Sequence, residues 1–152
     1  YDSKKVTIDD VNLCVGMTKD FTENNLFEAI LNRNFEKAIG IYDNMSSKTT
    51  ASSMEVELRF VAYMSNLFIN LHKMQDSILK NMPEGFDLYR ELKLWKDGSK
   101  IYRLYKNYMS DLNELKIAKA FDYIYETDKT LKYSEKDKRL VITSLIHNLI
   151  NL

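Results

Sequence analysis

Backbone breaks are scarce in this chain: one proline, Pro83, and four glycines in 152 residues. Turns draw on glycine, proline, asparagine and aspartate, and small β domains need one every few residues. A chain so poor in glycine and proline reads as long helices with few connections, and no segment sustains period-two alternation. At 45% hydrophobic and 29% charged, it is a globular chain rather than a disordered or membrane-embedded one. Its length suits one domain able to bury roughly 68–70% of the unfolded surface. No run approaches the roughly 18 apolar residues of a membrane helix. Tyr1-Asp2-Ser3-Lys4-Lys5 is followed by no apolar run, so it is not a signal peptide. The chain lacks an initial methionine and reads as a piece of something longer. Cys14 stands alone, so it can form neither an intrachain disulfide nor a Cys-rich zinc site, which fits a reducing, cytoplasmic setting.

Capping signals and apolar spacing divide the chain into six to eight helices, the longest one central. Thr7 to Asp10 opens a short helix through Val11, Leu13, Cys14 and Val15, ending near Gly16. Thr22 caps a second, with Leu26, Phe27, Ile30 and Leu31 on one face. Asn34 restarts the chain about three residues later, and Phe35, Ala38, Ile39, Tyr42 and Met45 repeat at threes and fours. The polar stretch 46–53 reads as a surface loop. Ser52 and Glu55 open the longest helix, 53–81, with a stripe of Leu58, Val61, Ala62, Met64, Phe68, Leu71 and Met74. Met82-Pro83-Glu84-Gly85 ends it, since proline lacks the N–H and disfavours helix just before it. Asp87 is expected to cap a short helix through Leu88, Leu92 and Trp95, and Asp97-Gly98 marks a turn. Residues 100–109 are helical again, with Ile101, Leu104, Tyr105 and Tyr108 together. Asp111 and Glu114 form a further capping box, before a helix packing through Leu112, Leu115, Ala118, Phe121, Tyr125 and Asp128. Ser134 is expected to cap the last helix, with Leu140, Ile142, Leu145, Ile146, Leu149 and Leu152 inward.

Catalytic patterns are absent from the sequence. His72 and His147 stand in neither an H-E-x-x-H nor a Glu-x-x-His context. There is no phosphate-cradling G-x-x-x-x-G-K-[ST] and no G-x-S-x-G elbow. Cys14 sits in an apolar helical run and reads as a packing residue. Asp122 and Glu126 share a helix face that reads as solvated, with no partner ligands for a metal. No cofactor or catalytic residue is implied.

One segment is less neutral than the rest. Between 87 and 108 lie Arg90, Lys93, Lys96, Lys100, Arg103 and Lys106, against Asp87, Glu91 and Asp97. Tyr89, Trp95, Tyr102, Tyr105 and Tyr108 are interleaved with them. Cations with aromatics hold single strands of nucleic acid. The same pattern also describes an amphipathic helix with packed tyrosines and solvated lysines, or a protein interface. A formal net charge of zero argues against a dedicated nucleic-acid binder.

The order of certain strings carries a resemblance. Leu26-Phe27-Glu28-Ala29-Ile30-Leu31 precedes Asn34-Phe35-Glu36-Lys37-Ala38-Ile39. The long helix begins Leu58-Arg59-Phe60-Val61, and Leu92-Lys93-Leu94-Trp95-Lys96-Asp97-Gly98 follows it. Asp128-Lys129-Thr130-Leu131-Lys132 then stands ahead of a leucine-rich terminal helix. In this order the chain resembles the C-terminal part of the delta subunit family of bacterial DNA polymerase III clamp loaders, over nearly its whole length. The family carries an F-x-L-x-D-A-L-L helix, a K-A-L-x-I-L helix and a D-x-x-L-K string, the last matched at Asp128, Leu131 and Lys132. It often has a Gly-Glu-Pro-like turn where this chain has 46–53, without glycine or proline. The resemblance implies that residues 1–19 end the lid of an AAA+-like module and that 20–152 form an oligomerising helical collar. It implies a non-catalytic piece of a DNA-synthesising nucleotidyltransferase assembly. The implied partners are gamma/tau-type ATPase and delta-prime subunits. The sliding clamp would be reached only through an N-terminal domain outside this sequence. The candidate contact residues are Arg90, Lys93, Trp95, Lys96, Lys100, Tyr102, Arg103, Tyr105 and Lys106. An isolated collar is expected to show uncovered apolar or aromatic patches, with Trp95, Tyr102 and Tyr105 as candidates.

Overall fold

The computed structural model describes residues 23–48, 53–94 and 98–152. The expected helix around Cys14, the 1–19 tail, the Thr22 and Ser52 caps, and Trp95, Lys96 and Asp97 lie outside the described residues. Within them the chain forms seven α-helices and no strand: α1 (Glu23–Leu31), α2 (Phe35–Ser47), α3 (Ser53–Leu79), α4 (Phe86–Glu91), α5 (Gly98–Met109), α6 (Glu114–Tyr133) and α7 (Lys138–Ile150). The fold is an all-α bundle. At 27 residues, α3 runs about 40 Å and forms its spine. Helix α6 lies along α3, and α7 packs against α6. The α1–α2 hairpin closes the bundle against α3 and α7, and α5 packs on α1, α3 and the short α4.

The core is one continuous cluster. Helix α3 supplies Phe60, Met64, Leu67, Phe68, Leu71 and Met74, each fully buried. Phe60, Met64, Leu67, Leu71 and Met74 alternate four- and three-residue spacings, Phe68 widens the stripe, and α1, α2, α5 and α6 all contact α3. That surround buries more than the single stripe expected from the sequence. Phe60 and Leu67 belong to the core, whereas Leu58 is half-buried and Ala62 exposed, both beside α6.

Three caps differ from expectation. Asn34 does cap α2, its side-chain oxygen accepting from the Lys37 N–H at 3.0 Å. Helix α6, however, is capped by Asn113, accepting from Lys116 N–H at 2.9 Å, not by Asp111. Asp111 still belongs to the turn leaving α5, its N–H pointing back to the Tyr108 carbonyl, and its carboxylate accepts from Arg33. Helix α7 is capped by Asp137, accepting from Leu140 N–H at 2.8 Å. Ser134 instead closes α6, its N–H donating to Thr130. Gly85 precedes α4 with no side-chain cap, and Asp87 sits inside the first turn, paired with Arg90 at 3.2 Å. Helix α2 also runs to Ser47, two residues into the stretch expected as loop.

Three helices stop without glycine. Arg33, Asn81 and Lys93 have φ of 56°, 55° and 55°. After each, two amides turn back to close the helix: Asn34 to Ala29 and Arg33 to Ile30, Met82 to Ser77 and Asn81 to Ile78, Leu94 to Tyr89 and Lys93 to Arg90. This is the Schellman closure, in which the left-handed position is ordinarily glycine, sometimes asparagine. A side chain there costs roughly 1–2 kcal/mol. The shortage of glycine that favours long helices is thus met at their ends by strained residues. Gly98 has a different use: a Cβ there would come within 3.1 Å of the Tyr89 ring, so its bareness lets α5 start against α4.

Candidate interaction surface

The basic and aromatic segment separates into two layers. Tyr102, Tyr105 and Tyr108 are buried along α5, Tyr105 completely. The Tyr102 ring lies 5.8 Å from that of Tyr89, and Tyr108 donates its hydroxyl to the Leu149 carbonyl at 2.8 Å. Burial pushes the Tyr102 phenol up, and pushes that of Tyr108 to about 12 against the opposing pull of Arg33. Tyr102 and Tyr105 are therefore core residues, neither stacking platforms nor uncovered interface aromatics, because the strongly amphipathic α5 turns its rings onto α1, α3 and α4.

The cations divide as well. Arg90 pairs with Asp87, its guanidinium 5.9 Å from the centre of the Phe86 ring. Lys100 reaches Glu28 of α1 at 3.6 Å. Lys93, Arg103 and Lys106 are exposed and form no ion pair among the described residues. His72 and His147 are exposed, His147 edge-on to Phe35 at 6.2 Å. Asp122 and Glu126 are exposed, Glu126 lying 3.9 Å from Lys129. Among the described residues no three His, Cys, Asp or Glu side chains are grouped to hold a metal ion, and no helix is long and apolar enough to cross a membrane.

The uncovered apolar surface lies elsewhere, on α6. Its buried line is Ile117, Ala120, Ile124, Thr127 and Leu131. The line expected to be buried divides: Leu112 and Phe121 are partly buried against the core, whereas Leu115 is 77% exposed and Tyr125 64%, joined by Tyr133 at 83%. Leu140, expected inward on α7, is 63% exposed. The fully inward line is aliphatic apart from Thr127 and carries no ring, where α6 packs between α3 and α7; Phe121 and Tyr123 reach the core only at its flanks.

Two grooves flank this helix. Between α3 and α6, a groove of about 600 Å³ is lined by Leu58, Ala62, Phe121 and Tyr125. At its edge Asp128 and Lys132 pair at 2.6 Å. Between α6 and α7, one of about 470 Å³ is lined by Tyr123, Thr127, Leu140 and Val141, with Glu126 and Lys136 at the rim. Apolar floor, aromatic shoulder and charged rim are the anatomy of a protein-docking surface. The signal in the sequence was the row Ala120, Ile124, Thr127, a second helical line competing with the bulkier one. A second, smaller exposed group, Leu79 and Phe86 with Ile78, surrounds the Pro83 turn.

Comparison of the chain with protein-family models, with curated proteins and with solved structures finds no match.

Proposed function

We propose that this chain is a non-catalytic assembly domain, the collar part of a delta-type clamp-loader subunit. It docks by helix-to-helix contact onto gamma/tau-type ATPase and delta-prime subunits and serves DNA replication in the cytoplasm. The observation that carries this reading is the outward line Leu115, Tyr125 and Tyr133 on α6, between two apolar grooves. A free domain gains nothing from leaving these side chains in water, whereas a ring neighbour laid along α6 removes them from it. The order of the strings that carry the resemblance also supports it, since they fall in turn on α1, α2, α3, the α4–α5 connection and α6. The direct test mixes the chain with the purified ATPase and delta-prime subunits at micromolar concentration and follows complex formation by size exclusion. The expected result is a co-eluting complex that Tyr125→Asp disrupts. Absence of any complex overturns the reading.

A further inference from the structure

Of the three described residues held at positive φ, two have their identity explained inside the molecule. Asparagine at 81 is the side chain that best tolerates this region after glycine. Arg33 spends its guanidinium on the Ile150 carbonyl at 3.2 Å, on Asp111 at 3.4 Å and over the Tyr108 ring at 5.7 Å. Lys93 has no such account. It is exposed, and no carboxylate pairs with it among the described residues. Strain retained without an internal reason points to a use outside the fold.

Lys93 lines a cleft of about 270 Å³ where α1, the middle of α3 and the segment after α4 meet. A second cation, Lys73 of α3, lines the same cleft, with Asn24 and Asn70, beside the buried Phe27 and the exposed Ile69. Lys73 also forms no ion pair among the described residues. No aspartate or glutamate lines the cleft among the described residues. Asn70 fixes the wall that carries Lys93, donating from Nδ2 to the Leu92 carbonyl at 3.2 Å. Two lysines line the cleft without a counter-charge among the described residues, one on α3 and one at a turn where glycine would be relaxed. A bound anion offsets both penalties. Lysine binds phosphate as a compact point charge, without the planar fork by which arginine matches carboxylate and phosphate alike, and no arginine lines this cleft among the described residues.

We propose that this cleft binds a phosphate group, carried by a nucleic-acid backbone or by a free nucleotide, with Lys73 and Lys93 as its cationic contacts. The inference is independent of the collar reading and requires no partner subunit.

Fluorescence anisotropy on the whole 152-residue chain tests it, with a labelled single-stranded 20-mer and a labelled ATP as separate probes. Lys93→Gly is the decisive variant, because it removes the charge and the backbone strain together. It is expected to weaken binding about tenfold while raising Tm by about 2–4 °C. Lys73→Gln is expected to weaken binding similarly without the rise. If the strand is the source, each variant lowers the slope of log K against log salt by about one. If the nucleotide is the source, ATP binds and the 20-mer does not. Failure of both probes to bind at millimolar concentration overturns the proposal. So does binding that survives Lys93→Gly unchanged, or displacement by poly-glutamate in preference to inorganic phosphate.

Discussion

Helices α5 and α6 follow one another in the chain, and both carry tyrosines among charges, yet they treat their aromatic residues in opposite ways. In α5 the tyrosines face the core and the cations face water. In α6 Ala120, Ile124 and Thr127 face the core, while Leu115, Tyr125 and Tyr133 face water. The difference lies in the neighbours. Helix α5 starts at Gly98, whose bare Cα packs against the Tyr89 ring of α4, and covers one side of α1 and α3, where bulky rings fill the space. Helix α6 packs between α3 and α7, and its fully inward line carries no ring. Hydrophobicity alone therefore does not say which of two helical lines is buried, and the line rejected by the core becomes available to a partner.

The contrast breaks most visibly at a single ring. Tyr105 is fully buried, its hydroxyl 3.5 Å from the Asn70 amide. Tyr105→Ala is expected to lower unfolding stability by about 3–5 kcal/mol, as for other large aromatic truncations in cores. Urea denaturation monitored by circular dichroism measures it. A loss below about 1 kcal/mol would mean that α5 does not pack as described.

Alkaline pH probes the same buried phenols through their charge. Burial raises Tyr108 to about 12, and burial with the 2.7 Å hydrogen bond to Glu57 raises Tyr42 to about 12. The folded state therefore favours the neutral phenol over the unfolded chain, whose tyrosines titrate near 10. This stabilisation is complete below pH 10 and is lost as pH rises from about 10 through about 12, by up to about 2 kcal/mol per phenol. The urea midpoint is expected to hold level to pH 10 and then fall. The Tyr42→Phe/Tyr108→Phe double variant should show a shallower alkaline decline. An equal slope in both proteins would remove the phenols from the account.

Much of the fold was legible because its signals are local. The long α3, the break at Pro83, the Asn34 cap and the helical class follow from spacing and from residues that begin or end helices. What was not legible depends on contacts distant in sequence. Asp111 looked like a cap, but Arg33, 78 residues earlier in the chain, draws its carboxylate away, and Asn113 takes the role. Glu57 carries no pattern at all, yet it is 97% buried, with Oε2 left without a partner. The sequence grouped all the cations of this segment together, and only the fold separates the exposed Lys93, Arg103 and Lys106 from the paired Arg90 and Lys100. Nor could the sequence separate the tyrosines beside them, because burial of a ring is decided by the opposing helix.

Arg33 links the two helices being compared, since it lies over Tyr108 of α5 and contacts Asp111 in the turn before α6. Arg33→Gly relaxes the left-handed backbone, worth about 1 kcal/mol. It also removes the charged hydrogen bond to Ile150, worth about 1.5–3 kcal/mol in general and near the lower end at this half-exposed position. The net expectation is a loss of up to about 1 kcal/mol, opposite in sign to Lys93→Gly. Thermal unfolding of the two glycine variants side by side checks the pair. Equal stabilisation by both would mean that the Arg33 contacts contribute nothing.

The smallest expected effect on stability is the most informative about function. Leu115→Ser and Tyr125→Ser remove exposed side chains that no neighbouring helix covers, so each should shift unfolding stability by no more than about 0.5 kcal/mol. A truly buried line would lose several times that, as Tyr105 does. The double variant should therefore keep its fold and its urea midpoint while losing affinity for the neighbouring subunits. The two readouts separate the alternatives. A large drop in stability would return Leu115 and Tyr125 to the core and erase the contrast with α5. Unchanged stability with unchanged complex formation would leave the contrast intact but take α6 out of the interface, shifting the search to Leu79 and Phe86 beside the Pro83 turn. Only silence in stability combined with loss of docking fits a helix whose outward line is kept apolar for a partner.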